Sequence, residues 1–146
     1  MSDIRLEPVP GSDPDLQRAL SASGLPVEDL EDPGRWFFMA VCPDGGPFGY
    51  AGIEACGDAV LLRSMVVLPE RRGRALGKSL AKAVLNAIGD GKAVFLATTS
   101  AAPFFAGLGF VAVQRAEVPP AVLSTRQLSG ICPASATIMK FTKPPT

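Results

Sequence analysis

Between Arg71 and Leu80 the chain reads RRGRALGKSL, and its glycines, cations and Gly-Lys-Ser triplet are residue types that hold phosphate. Spacing decides which phosphate-binding pattern they can form. A Walker loop, G-x-x-x-x-G-K-[ST], needs a long enough run between its glycines for backbone N–H groups to curl around a terminal phosphate. Here only three residues separate Gly73 from Gly77, and Arg72 stands where the first glycine belongs. A dinucleotide fingerprint, G-x-G-x-x-G, is absent, and the preceding strand follows a run of strands instead of opening the chain. What remains is an anion site built from the unpaired amides and positive dipole of a helix's first turn, reinforced by Arg71, Arg72, Arg74 and Lys78. A pyrophosphate fits it. The competing reading is that the arginines only solvate a surface turn.

The sequence contains no histidine, which excludes Ser-His and Cys-His nucleophile pairs, imidazole acid–base catalysis and His-ligated zinc. Any base must be a carboxylate, a cysteine, a lysine or water, and no metal is expected. With 14 basic and 14 acidic residues the formal charge is zero, so neither nucleic acid nor a membrane surface is an expected partner. Cys42, Cys56 and Cys132 are odd in number and widely spaced, as reduced thiols of a cytoplasmic protein are. The opening MSDIRLEPVP has no apolar core of the kind a signal peptide needs, and runs such as WFFMAV are too short to span a bilayer.

The elements that must position this chemistry follow from periodicity. DIRLEPV alternates as a strand, and SDPDLQRALSASG reads as a helix with Asp13 as N-cap, Pro14 at its first position and Gly24 as its stop. LPVEDLEDPG is a helical turn or loop. Arg35 to Cys42, Phe48 to Cys56 and Ala59 to Leu68 are three strands rich in branched and aromatic residues. Gly57-Asp58 between the last two suits a type II′ hairpin, and the three should form an antiparallel meander. From Gly73 to Ile88, Leu76, Leu80, Val84 and Ile88 recur every four positions, which predicts one amphipathic helix. KAVFLATT reads as a central strand, Ala101 to Leu108 as a short helix, FVAVQRA and ASATIMKF as the closing strands, with a helical segment between them. The expectation is one α+β domain over residues 1–146, a mixed, mostly antiparallel twisted sheet with helices on both faces.

VVLPERRGRALGKSL resembles the acetyl-CoA-binding segment of the GNAT-superfamily N-acetyltransferases, in which a strand ending V-x-P leads to R-x-x-G-x-G/A at a helix start. Arg72, Gly73, Arg74, Ala75, Leu76 and Gly77 carry the pattern, with Ala75 replacing its first glycine. TTSAAPFFAGLGF, Thr98 to Phe110, is similar to the family's N-x-x-A-x-x-L-Y-x-x-x-G-F helix. Thr98 stands where asparagine is usual, and Phe105 where a tyrosine often protonates the departing thiolate. The tail FVAVQRAEVPPAVLSTRQLSGICPASATIMKF resembles an arsenic-resistance-operon subgroup, related members of which acetylate glutamate-like phosphorus or arsenic amino acids.

The resemblance implies a sheet splayed between the fourth and fifth strands, with acetyl-CoA as cosubstrate. Its pyrophosphate would lie on the turn from Arg72 to Lys78, and its pantetheine would bond the strand edge at Met65, Val66 and Val67. A backbone N–H near Val66 or Val67 would stabilise the oxyanion, a small-molecule amine would be the acceptor, and homodimers are common among relatives. Where many relatives place a carboxylate, this chain has Ser64, and the nearest carboxylate is Glu54. A Gly57-Asp58 turn puts Glu54 and Arg63 diagonally on one sheet face. That pair either serves the site, with Glu54 as base through water and Arg63 clamping a substrate carboxylate, or is an ordinary surface ion pair. Cys132 is either a packed thiol or a third catalytic candidate, and Arg126 and Arg35 are further candidates for the acceptor. A coenzyme A- or arsenical-binding module without catalysis is the alternative from another class.

Overall fold

A computed structural model describes residues 4–25, 27–43, 46–71, 76–89, 91–125 and 136–142. In chain order the elements are β1 (Arg5–Val9), α1 (Pro14–Ala22), β2 (Arg35–Val41), β3 (Pro47–Cys56), β4 (Ala59–Val67), α2 (Leu76–Ile88), β5 (Ala93–Thr98), α3 (Ala102–Ala106), β6 (Phe110–Val113), α4 (Pro120–Leu123) and β7 (Thr137–Phe141). Short 3₁₀ turns occupy Pro69–Arg71 and Arg115–Glu117. The strands hydrogen-bond in the order β1-β2-β3-β4-β5-β7-β6, antiparallel except for β4 and β5, which run parallel. This is the expected mixed α+β sheet. Among the described residues no helix is long and apolar enough to cross a membrane.

The chain divides into two compact units, Met1–Glu54 with Arg63–Asp90, and Ala55–Leu62 with Gly91–Thr146. In the first, Asp13 caps α1 by accepting a hydrogen bond from the Leu16 N–H at 2.9 Å, with Pro14 at the first position, where its missing N–H costs nothing. Leu16 and Leu20 of α1 then pack on Phe37, Tyr50 and Val66. Gly49 turns its bare side to the other face, where an added Cβ would stand 3.4 Å from Leu80 of α2. Because neighbouring strand residues face opposite ways, α1 and α2 cover opposite faces of β3.

In the second unit β4 pairs with β5 over Ala59–Leu61 and Ala93–Phe95, and Leu61, Phe95, Ile138, Val118 and Val122 form the core. Phe105 sits edge-on to Phe104 and Phe110, with ring centroids at 5.1 and 5.6 Å. The strand expected over FVAVQRA stops at Val113. Glu117 folds back to accept the Gln114 N–H at 3.0 Å, closing a capping box that turns Arg115–Glu117 into a 3₁₀ turn. Of the predicted ASATIMKF strand, Thr137–Phe141 is extended, while its first two residues, 134 and 135, lie outside the described residues.

Candidate functional site

The β3–β4 hairpin builds the site. Gly57 has φ 64°, and Ser64 is the only non-glycine residue with positive φ among those described, so the turn has the left-handed first position of a type II′ hairpin. A two-residue turn places Cys56 opposite Ala59, and unbroken pairing would bring Phe48 opposite Val67. Instead the Leu68 N–H donates to the Phe48 carbonyl at 2.8 Å, so β4 contains one extra residue.

Side-chain directions show the same slip. Arg63 shares a face with Glu54 and lies over the Phe37 ring, 5.8 Å from its centroid. Strict alternation would put Met65 and Val67 on that face too, yet Val66 and Leu68 pack with Phe37 and Tyr50. Ser64, at φ 57°, is the residue that absorbs the slip, as in a β-bulge. A left-handed backbone at a residue with a Cβ costs on the order of 1–2 kcal/mol. Gly49 accommodates the displaced strand, since a Cβ there would stand 2.4 Å from the Val66 carbonyl oxygen.

Against the bulge lies a buried set of four charges. Arg63 Nη1 and Nη2 donate to Asp29 Oδ2 and Oδ1 at 2.5 and 2.7 Å, and Nη1 also donates to Glu54 Oε1 at 3.1 Å. Its Nε donates to Ser64 Oγ at 3.1 Å. Arg35, opposite Glu54 in the β2–β3 register, brings Nε to 3.2 Å from Asp29 Oδ2 and Nη2 to 3.3 Å from Glu54 Oε2. Its Nη1 donates to the Pro33 carbonyl at 2.6 Å. Two guanidiniums and two carboxylates compensate one another, as buried charges must. Burial pushes the Asp29 carboxyl up, but hydrogen bonds and charge attraction from Arg63, and then from Arg35, outweigh it and hold the carboxyl below its ordinary value. Burial likewise lowers Arg63, and Asp29 with Glu54 more than reverses this, keeping the guanidinium charged.

The structure thus brings Arg35 and Ser64 together with Glu54 and Arg63, the pair already expected on one sheet face. Of the two readings of Glu54 and Arg63, the ordinary surface ion pair is set aside, because they are only 5 % and 4 % exposed. Asp29, fully buried, was not foreseen. It belongs to the segment read as a helical turn or loop, where nothing in the sequence sets it apart from Glu28, Glu31 and Asp32.

Beyond the bulge, Met65 and Val67 are half-buried and Val66 is buried. The chain then passes through the Pro69–Arg71 turn to α2, where Leu76 and Gly77 are half-buried and Lys78 is exposed. Arg71 donates to Cys42 Sγ at 3.9 Å. In the second unit Thr98 Oγ1 accepts the Ala101 N–H at 3.0 Å, shaping the entry to α3, and Phe105 is a core residue, 8 % exposed. Arg72, Gly73, Arg74, Ala75, Arg126 and Cys132 lie outside the described residues. Among the described residues no three His, Cys, Asp or Glu side chains gather as a metal site.

Residues 33–112 match the family described as "Acetyltransferase (GNAT) domain". No curated protein sequence matches the chain. Among solved structures, N-acetylglutamate synthase from Neisseria gonorrhoeae, complexed with coenzyme A and N-acetyl-glutamate, is similar at TM-score 0.72 and 19 % identity, over 97 % of this chain and 35 % of that one. Tetrahymena GCN5 is similar at TM-score 0.67 and 14 % identity, over 87 % of this chain and 83 % of that one. An acetyltransferase from Thermus thermophilus is similar at TM-score 0.64 and 21 % identity, over 94 % and 95 % of the two chains.

Proposed function

Because the chain belongs to the GNAT acetyltransferases, the family matched over residues 33–112, and is an acetyl-CoA-dependent acyltransferase, we propose that it moves acetyl to the amino group of a small amino acid or glutamate-like analogue. The observation that carries this reading is the bulged strand β4 running through Pro69–Arg71 into α2. In it, the main-chain groups of Met65, Val66 and Val67 hold the pantetheine. The segment from Arg72 to Lys78 receives the diphosphate, its glycines and cations in sequence being residue types that suit an anion at a helix start. By resemblance, Thr98 and Phe105 are further candidates for cosubstrate contact.

The acceptor nitrogen, neutral when it attacks, forms a bond to the thioester carbonyl carbon. Negative charge develops on the carbonyl oxygen and is met by a β4 N–H near Val66 or Val67. The C–S bond then breaks, coenzyme A leaves as thiolate, and the amine's extra proton passes to solvent. Glu54 acts as a fixed negative charge in this scheme, because guanidinium groups already hold both of its oxygens. Phe105 has no proton to give, so the thiolate departs without a phenolic donor. Recognition of the acceptor falls to Arg126, and Cys132 is a further candidate for it.

The neighbour complexed with coenzyme A and N-acetyl-glutamate supports beginning with amino acids. An action on arsenic-containing analogues rests on the resemblance of the RAEVP and CPASA segments. The test is thiol release from acetyl-CoA across the common amino acids and their phosphinic and arsonic analogues. Saturable, acceptor-dependent release is expected. Coenzyme A binding without turnover of any acceptor would favour a regulatory binding module instead.

A further inference from the structure

We infer that Asp29 is a positioning residue for acetyl transfer. Acting through Arg63, it keeps Ser64 left-handed and thereby fixes the direction in which the N–H groups of Met65, Val66 and Val67 point. The inference rests on the acetyl-transfer reading and assigns Asp29 no contact with substrate.

Side chains of adjacent strand residues point to opposite faces. A 3.1 Å bond from Arg63 Nε to Ser64 Oγ therefore belongs with the left-handed backbone at Ser64, and the two stand or fall together. Arg63 can make that bond reliably only if its guanidinium plane is fixed. Asp29 fixes it by accepting from both Nη atoms, a fork that a planar guanidinium matches and an ammonium does not. Asp29 is fully buried and the Arg63 side chain is 1 % exposed, so water does not loosen the pair.

Ser64 has reason to leave this conformation, since a residue with a Cβ disfavours it. Were Ser64 to become extended, the extra residue of β4 would be lost, and the main-chain groups that follow would exchange sides. The N–H that meets the oxyanion would then face away. Coenzyme A would lose its pantetheine bonds to those main-chain groups in that conformation, while its diphosphate contacts at the start of α2 would persist.

The experiment compares wild type, Asp29→Asn and Arg63→Lys, each variant alone and combined with Ser64→Gly. Glycine takes a positive φ without strain, so it holds the bulge without help from Arg63. The measurements are kcat per folded molecule with the amino acid that the wild type turns over fastest, the dissociation constant of free coenzyme A, and the amide NMR resonances of Met65, Val66 and Val67. Asp29→Asn and Arg63→Lys should each lower kcat about tenfold, the factor set by the cost of the left-handed conformation, and shift those resonances. Coenzyme A affinity should weaken by up to about tenfold as well, because the same groups hold the pantetheine, and Ser64→Gly should restore most of kcat, the affinity and the resonances.

Arg63→Lys keeps the charges balanced and remains informative if Asp29→Asn does not fold. Unchanged kcat per folded molecule, or failure of Ser64→Gly to restore it, overturns the inference and leaves Asp29 as a stabilising residue only. Absence of turnover by the wild type overturns the acetyl-transfer reading instead, and the resonances then still show whether Asp29 controls the bulge.

Discussion

Replacing Asp29 by asparagine removes one negative charge from a buried, balanced set and leaves Arg63 and Arg35 facing Glu54, with only the half-buried Asp32, 3.9 Å from Arg35 Nη2, as a further anion. Breaking a buried pair by neutralising one partner costs about 3 kcal/mol, the lower end of the usual range being apt because asparagine keeps one oxygen acceptor. With a urea slope of about 2 kcal/mol per molar, the unfolding midpoint should fall by about 1.5 M at neutral pH. The gap should also depend on pH in one direction. The folded carboxyl of Asp29 is held below its ordinary value of 3.8, so the unfolded chain takes up its proton first as acid is added. Its stabilisation is therefore complete above about pH 4 and is lost as pH falls through the depressed folded value. Once protonated, Asp29 is as neutral as asparagine, and the two proteins should converge. Urea titrations of both at pH 7, 5, 4, 3 and 2.5 measure this. Equal midpoints at neutral pH, or a gap that persists undiminished at the most acid point, would refute the electrostatic argument.

Three other substitutions probe separate parts of the structure. Gly49→Ala would push a methyl group to 2.4 Å from the Val66 carbonyl oxygen, so β3 and β4 must part; thermal melts should show a loss of about 2 kcal/mol. Phe105→Ala empties a place between two edge-on rings and should cost about 3 kcal/mol or more in denaturant titrations. Lys78→Glu, exposed in the first turn of α2, should raise KM for acetyl-CoA about fivefold, less so at high salt, while leaving the melting temperature near that of the wild type.

The parts of the fold that the sequence makes legible are those whose signals are local. Asp13-Pro14 marks the start of α1, Gly57-Asp58 marks the hairpin, and the four-residue recurrence from Leu76 to Ile88 marks α2. Each depends on residues within a turn or two of one another. The bulge at Ser64 has no such signature. Serine is not a residue that announces a positive φ, and β4 is so apolar from Ala59 to Leu62 that its pattern carries no alternation from which a one-residue slip could be read. Asp29 was hidden for the opposite reason. Its partner Arg63 lies 34 positions away, and in a segment that also contains Glu28, Glu31 and Asp32 nothing distinguishes the acid that is buried from those that are solvated.

Burial also changes what the arginines can do. An arginine in water can take a substrate carboxylate at little cost, whereas Arg63 has already committed Nε, Nη1 and Nη2 to Ser64, Asp29 and Glu54. A substrate carboxylate reaching it would have to displace Asp29, leaving that carboxylate without its fork in a site from which water is excluded, and such exchanges lose more than they gain. Arg35 is held in the same way by Asp29, Glu54 and the Pro33 carbonyl. The same bonds that make these arginines poor clamps make them good supports. A guanidinium whose neighbours are fixed has one orientation, and a strand bonded to it inherits that orientation. In the reaction proposed above, main-chain N–H groups meet the oxyanion, and since no side-chain substitution sets their direction directly, such a support is how side chains would reach the chemistry.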